Sequence, residues 1–208
     1  MPNLPAGYRG PFSEKRPPGL RRRRLVAGTE LWRIDSAGPA SWLWDGFPTA
    51  CYRFDPASGR FRTRYAAQSL VGAARERYRD SGLYIPTDHA EHHLVHLVAV
   101  RDMRVFDLRA QQNLDVLSLD DQISTGLHPA VWGTCHRLAD AARLWWDDLD
   151  AIVYRSRTTP ETSVNVAFFA ADPFRSESWA LVDRPDVLAD LVLHYGFTVG
   201  WGFAPQPG

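Results

Sequence analysis

The sequence has few cysteines, a single lysine and no long apolar run. Cys51 and Cys135 match no metal-binding spacing, and two thiols in 208 residues do not resemble a disulfide framework, so we expect a reducing compartment. After the arginines at 21–24, the apolar stretch that precedes Thr29 is too short for a signal peptide or a membrane span. The sequence therefore predicts a cytoplasmic protein with no membrane contact.

The common signatures of nucleotide and hydrolase chemistry are also missing. The chain has no GxGxxG after a strand, no Walker lysine motif, no GxSxG elbow and no HExxH. A Rossmann-type dinucleotide site, a serine hydrolase of the elbow type and a zincin are therefore not expected.

Four histidines in the segment 89–96 raise the question of a metal site, because imidazole is a good zinc ligand. This segment passes from a loop into a predicted strand, where His92 and His96 share one face and His93 takes the other. We therefore predict no bound metal, and we interpret these histidines as solvated or core-edge residues.

The first 26 residues are basic and proline-rich, with seven cationic side chains against one acid, Glu14. This leaves 17 of the 24 basic and 23 of the 24 acidic side chains in the remainder, which is mildly acidic. Because residues 1–26 lack apolar periodicity, we predict a flexible, solvated arm followed by one domain over 27–208. The arm could touch an acidic partner, but the sequence does not favour nucleic-acid contact, and it leaves the oligomeric state open.

Strand-like segments outnumber helical ones beyond this arm. The patterns predict helices over 69–80, with Ser69 as N-cap, within 128–149, and over 186–196, ending at Gly196. Strands are predicted at 31–34, 62–67, 93–102, 103–108, 150–156 and 163–170. No regular strand–helix alternation appears, so we predict an α+β fold: a single domain with a split, largely antiparallel central sheet and flanking helices.

One stretch, RFDPASGRFRTRYAAQSLVGAARERY at 53–78, crowds arginines ahead of Tyr65 and carries one acid, Glu76, on the predicted helix. On a helical projection, Glu76 lies away from the apolar stripe that includes Leu70 and Ala74. The pattern alone is typical of a surface glutamate between two arginines.

The chain nevertheless resembles the RES-domain family, named for its arginine, glutamate and serine. The resemblance is carried by LWRI with Arg33, by GRFRTRYAAQSLVGAARERY with Tyr65 and Glu76, and by YRSR with Ser156 followed by NVAFF. It spans roughly residues 27–170, and the three letters occur in the order of the family name.

The resemblance implies an ADP-ribosyltransferase-like fold and consumption of NAD+, often by the toxin of a bacterial toxin–antitoxin pair. By that resemblance Arg33 would bind the NAD+ pyrophosphate and Arg53 would make a second phosphate or ribose contact. Tyr65 would pack on the nicotinamide side, Glu76 would be the catalytic carboxylate and Ser156 would line the same pocket. A cognate antitoxin protein would be the partner.

The chemistry of NAD+ cleavage suits these residue types. Breaking the nicotinamide–ribose bond expels a neutral group and builds positive charge on the sugar, which one carboxylate can stabilise. Arginine offers a planar fork for a diphosphate, and a tyrosine face can hold the pyridinium. We expect transfer of ADP-ribose to phosphate or water. Two alternatives stay open: transfer to a protein side chain, and a domain that binds NAD+ without turnover.

Overall fold

The computed structural model describes residues 4–46, 49–158 and 163–202. Its strands are β1 (Arg22–Leu25), β2 (Glu30–Asp35), β3 (Arg64–Ala67), β4 (Tyr84–Ile85), β5 (His93–Ala99), β6 (Met103–Asp107), β7 (Ala151–Arg155), β8 (Val164–Phe168), β9 (Phe174–Ala180) and β10 (Thr198–Val199). Its α-helices are α1 (Leu70–Tyr78), α2 (Gln111–Leu117), α3 (Gln122–Thr125), α4 (Pro129–Trp145) and α5 (Pro185–Tyr195). None of the helices in these ranges is long and apolar enough to cross a membrane.

Eight strands form one sheet in the order β1-β6-β7-β8-β3-β2-β5-β9, and β4 and β10 form a small parallel pair. Every neighbouring pair in the large sheet is antiparallel except β6 and β7. β2 and β3 are paired only through Trp32 and Ala67, so the sheet divides there into two halves. The predicted α+β fold with a split, largely antiparallel sheet is confirmed. β6 does not lie beside β5, although the two strands are consecutive in sequence.

The split sheet curls so that one face encloses its own core. Leu31 and Val95 from one half pack in the same buried cluster as Val153 and Val166 from the other half. The outer face of the half that contains β6, β7 and β8 is covered by α4, and that of the half that contains β2 and β5 is covered by α1 and α5. Helix α1 packs against both β2 and β3, so it lies over the line where these two strands separate.

Helix α1 starts where the sequence predicts. The Ser69 hydroxyl accepts a hydrogen bond from the Gly72 N–H at 3.1 Å, which caps a free amide of the first turn. A Cβ at Gly72 would lie 2.8 Å from the side-chain oxygens of both Ser69 and Ser163, so only glycine fits this close approach. Ala74 and Tyr78 are buried, and this fixes the rotation of the helix and hence the direction of Glu76.

The prediction of a flexible arm over residues 1–26 is wrong for residues 4–25, which pack on the domain. Tyr8 is 2% exposed, and its hydroxyl donates to Asp120 Oδ1 at 2.8 Å. The indole of Trp145 donates to the Ser13 carbonyl at 2.9 Å. β1 pairs along its whole length with β6.

The apolar side chains of this segment are spaced irregularly, which explains why no periodicity marks it as part of the core. Leu20 is buried, and Leu4 and Phe12 pack against the same cluster as Tyr8. The arginines of β1 lie opposite acids of the body: Arg22 pairs with Asp148, Arg23 with Asp107 and Arg24 with Asp102. A run of like charges is thus compatible with a strand because the counter-charges come from distant parts of the chain.

Candidate active site

The carboxylate of Glu76 is held by three hydrogen bonds from neutral groups. Its Oε1 atom accepts from Ser156 Oγ at 2.6 Å, from Thr158 Oγ1 at 3.0 Å and from Asn165 Nδ2 at 2.8 Å. The structure therefore brings Glu76 and Ser156 into contact although they are 80 residues apart in sequence. Glu76 is neither a core residue nor a freely solvated one, since it is half-buried.

Strand β8 and the segment after β7 supply the residues that contact Glu76. Asn165 lies on β8 opposite Tyr154 of β7 and Ala67 of β3, so all three share the outer face of the sheet, on which α4 and α1 pack. Ser156 follows β7 directly, and its N–H donates to the Ser163 carbonyl at 2.8 Å. The end of this hairpin thus delivers a hydroxyl and an amide to the same carboxylate oxygen.

Two tyrosines extend the site from Glu76 towards β3. Tyr154 is 7% exposed, and burial together with the negative charge of Glu76 raises the pKa of its phenol well above the ordinary range. The Tyr65 hydroxyl donates to Asp55 Oδ1 and accepts from the Phe54 N–H, both at 2.9 Å. Burial, followed by the charge of Asp55, raises the pKa of Tyr65 as well. Both phenols are therefore neutral at physiological pH.

Asp55 fixes the loop that lies in front of Tyr65. Its side chain is fully buried, and its Oδ2 accepts from the backbone N–H groups of Cys51 and Tyr52 at 2.9 and 2.7 Å. The Tyr52 ring lies 5.8 Å from the Tyr65 ring, and Tyr52 is 59% exposed. An accessible aromatic side chain is thus held beside Tyr65.

Arg33 lies in a different set of contacts. Its Nε donates to Asp35 Oδ2 at 2.7 Å, and its Nη1 donates to the Tyr65 carbonyl at 2.7 Å, so it spans β2 and β3 where they diverge. Arg64 also binds Asp35 Oδ2, at 3.2 Å, and stacks on Trp42 with 4.9 Å between its guanidinium carbon and the ring centroid. Burial would raise the Asp35 pKa, but the charges of Arg33 and Arg64 outweigh it and hold that pKa below its ordinary value.

The structure thus does not join Arg33 to Glu76 by any hydrogen bond among the residues it describes. Arg33 shares a face of β2 with Leu31, whereas the Trp32 side chain lies on the face that α1 covers. Arg33 and the helix that carries Glu76 therefore lie on opposite faces of β2, next to the place where β2 and β3 separate.

Arg53 is buried in a structural position, which does not support its expected phosphate contact. It is 7% exposed, and its guanidinium donates to the carbonyls of Ile123 and Gly126 at 3.1 and 2.9 Å. It also stacks over Trp132 at 5.4 Å. The hydrogen bonds tie the loop at 51–59 to α3 and to the residue that follows it, and a phosphate contact by Arg53 would have to replace them.

The histidines at 89–96 form ring stacks. The rings of His89 and His92 are 3.8 Å apart between centroids, and His96 stacks on Trp32 at 4.2 Å. Burial lowers the pKa of both His89 and His92, aided by the nearby charge of Arg77. In the ranges that the structure describes, no group of three or more potential ligands is arranged for a metal ion.

A separate cleft of about 440 Å³ lies at the other side of the domain, lined by charged residues that include Arg101, Asp150 and Asp172. Arg101 donates to Asp150 at 2.8 Å and to Asp172 at 2.9 Å, so one cation is shared by two carboxylates and the group keeps one net negative charge. None of the residues that contact Glu76 lines this cleft. We therefore do not assign the candidate active site to this cleft, despite its volume.

The sequence reasoning did not find Asn165, Thr158 or Asp55. Asn165 carried a usable signal, because an amide inside the apolar run VNVAFF requires a hydrogen-bond partner when it is buried, and it is 3% exposed. Thr158 and Asp55 carried no such signal, since both lie in polar loops.

The RES domain family model matches residues 30–187, which is well over half of the chain. The fold is similar to a crystal structure of the M. tuberculosis MbcT–MbcA toxin–antitoxin complex, with a TM-score of 0.56 at 17% sequence identity, covering 80% of this chain and 92% of the matched chain. No curated protein matches the sequence. The match of the family model over this range shows that the chain belongs to the RES-domain family.

Proposed function

We propose that this protein is an NAD+-degrading enzyme that cleaves the nicotinamide–ribose bond and transfers ADP-ribose to phosphate or water. The observation that carries the proposal is the Glu76 carboxylate, whose three described partners are all neutral donors. Such donors orient a carboxylate without cancelling its charge. The charge stays available for a positive centre that develops during a reaction.

The reaction needs few groups. As the C–N bond breaks, its electron pair leaves with nicotinamide, which departs neutral and requires no proton. The ribose carbon becomes electron-poor, and Glu76 stabilises it in the manner of a glycosidase carboxylate. An oxygen of water or phosphate then bonds to that carbon, and a water molecule loses one proton to solvent. Ser156 and Asn165 keep Glu76 oriented during this sequence.

We propose Arg33 as the contact for the NAD+ diphosphate, supported by the balance of charge around it. Arg33 and Arg64 share one carboxylate, Asp35, so the three groups carry one net positive charge. Their side chains are 12–20% exposed, so solvent screens this charge less than it screens a surface arginine. Tyr65, with its hydroxyl fixed, would turn a neutral ring towards the nicotinamide, and the exposed Tyr52 could close over it.

The biological role that we propose is that of a toxin acting in the cytoplasm and held inactive by a cognate antitoxin protein. Support comes from membership of the RES-domain family and from the likeness to a chain of a toxin–antitoxin complex. Induction of the wild-type chain should then lower cellular NAD+ and arrest growth, whereas induction of Glu76→Gln should do neither.

The direct test is incubation of the purified protein with NAD+ labelled in the adenosine part, with and without inorganic phosphate. We expect release of nicotinamide and a labelled small molecule, either ADP-ribose or its phosphorylated form. Label retained on protein would instead indicate transfer to a side chain. Binding of NAD+ without nicotinamide release would indicate a domain without turnover, and either result would refute the proposed reaction.

A further inference from the structure

The large sheet ends in two edge strands, β1 and β9, which differ in length and charge. β9 has seven residues and, within the described ranges, pairs only with β5. Residues 175–178 of β9 are exposed. An exposed edge of this length presents backbone groups to which another strand can add.

The backbone bonds to β5 identify which residues of β9 face outwards. The Pro173 carbonyl accepts from Val100 N–H at 2.8 Å, and the Leu181 N–H donates to the His92 carbonyl at 2.9 Å. In an antiparallel ladder, inward-facing and outward-facing residues alternate, so the odd-numbered residues of β9 face β5. Ser176 and Ser178 therefore direct their N–H and C=O groups away from the sheet.

The charges on this edge are self-complementary. Arg175 and Glu177 project from the same face of β9, both are exposed, and no ion pair within the described ranges includes either of them. If two copies pair antiparallel with Ser176 on the two-fold axis, each Arg175 lies opposite the second copy's Glu177. A shift of the axis to residue 177 would place the two Glu177 side chains opposite each other, which is repulsive.

The other edge strand lacks these properties. β1 has four residues, and three of them are arginines. Self-pairing of β1 would set arginine against arginine. Its charges are also already used within the chain, because Arg22, Arg23 and Arg24 each pair with an aspartate of the domain.

We propose that the β9 edge is a self-association surface through which two copies of this chain form a symmetric dimer. The contact consists of antiparallel backbone hydrogen bonds centred on Ser176 and two Arg175–Glu177 ion pairs. It is an isologous interface, so it closes at two copies and leaves no free β9 edge. The site around Glu76 consists of residues from α1, from β8 and from the segment after β7. This inference about β9 therefore does not depend on the proposed reaction.

A charge-swap series tests the pairing by sedimentation equilibrium of the full chain up to about 100 µM. Wild type should self-associate to a dimer. Glu177→Arg should weaken association by about tenfold or more, because it replaces two attractive pairs with two repulsive ones, and Arg175→Glu should do the same. The double variant Arg175→Glu/Glu177→Arg should restore dimer formation.

A wild-type protein that stays monomeric over the whole concentration range would overturn the proposal. Failure of the double variant to recover would also overturn it.

Disulfide trapping tests the register independently. In chains that also carry Cys51→Ser, Ser176→Cys should give a covalent dimer on mild oxidation, because directly opposed residues in a hydrogen-bonded pair lie about 5.5 Å apart between Cα atoms. Ser178→Cys is the matched control, because the second copy's Phe174 would lie opposite the new cysteine. This variant should stay monomeric on a non-reducing gel. Equal trapping at both positions would contradict the proposed register.

Discussion

Glu76 and Arg33, two charged groups that the family pattern assigns to one function, are held in opposite ways. Glu76 accepts from a serine, a threonine and an asparagine, all neutral. Arg33 instead donates to a carboxylate, Asp35, which it shares with Arg64. Glu76 thus meets no counter-charge among its described hydrogen-bond partners, whereas Arg33 and Arg64 are partly balanced by Asp35 and together keep one net positive charge.

This difference indicates different parts in a reaction. A whole negative charge held beside a ribose acts most strongly where positive charge develops, which is in the transition state. The Arg33–Arg64–Asp35 cluster, with one net positive charge, suits a diphosphate, because the charge of the diphosphate does not change between binding and release. Substitutions at the two clusters should therefore separate turnover from affinity.

The largest effect is expected from a second carboxylate beside Glu76. Asn165→Asp removes the donor at 2.8 Å and sets two acids against each other, so they compete for one proton and the pKa of the pair rises. Turnover at neutral pH should fall on the order of a hundredfold, with NAD+ affinity changed far less. Asn165→Ala, which removes the donor without adding charge, is the control and should lose on the order of tenfold. Equal activity in these two variants would show that the charge at Glu76 does not matter.

Arg33→Ala should act mainly on binding. Loss of a charge-assisted contact to a diphosphate costs roughly 2–3 kcal/mol, so the Kd for NAD+ should rise on the order of a hundredfold, with a smaller loss of turnover. The control is Arg75→Ala, which deletes the same charge at an arginine that lies over Tyr195. Calorimetric titration with NAD+ measures the Kd of both variants. A turnover defect with unchanged affinity would reverse the roles assigned to the two clusters.

Ser156→Ala should have a moderate effect, because two of the three donors to Glu76 stay in place. A hydrogen bond to a charged group is worth about 1.5–3 kcal/mol, but the remaining donors still orient the carboxylate, so we expect turnover to fall by about tenfold. Ser163→Ala is the matched control, since the Ser163 hydroxyl is buried and has no hydrogen-bond partner within the described ranges. Steady-state kinetics of the pair would distinguish orientation of Glu76 from a general loss of packing, which would lower both rates alike.

The smallest effect concerns the pH dependence of stability at Asp35. Because its pKa is lower in the folded state than in an unfolded chain, ionised Asp35 contributes stability above the ordinary carboxyl pKa of about 3.9. That contribution is lost as the pH falls through the lowered folded value. The free energy of unfolding in urea should therefore decline less steeply below pH 4 in Asp35→Asn than in wild type. Parallel declines would indicate that Arg33 and Arg64 do not hold this carboxylate in solution.

Much of the fold was predictable because its central elements carry strong local signals. Helix α1 has a serine cap, α5 ends at Gly196 in the left-handed region, and β5 alternates its side chains. The sequence did not indicate β1 or β9, because both are edge strands with polar side chains on both faces. Their pairing depends on the neighbouring strands, which local patterns do not contain.

The site was predictable only in part, for a similar reason. The resemblance to the family predicts that Ser156 lines the same pocket as Glu76, and the structure has the two side chains in contact. It does not reveal that the Arg53 guanidinium binds the carbonyls of Ile123 and Gly126, since that depends on how the loop at 51–59 packs against α3. Nor does it reveal that Asn165 would complete the donors around Glu76.

The central claim is that the negative charge of Glu76 drives cleavage, and Glu76→Gln tests it most directly. This substitution keeps the size and shape of the side chain and removes only the charge. We expect nicotinamide release from saturating NAD+ to slow by a factor on the order of a hundred or more, while the Kd for NAD+ and the melting temperature stay close to those of wild type. A well-folded Glu76→Gln protein that releases nicotinamide at the wild-type rate would contradict the mechanism.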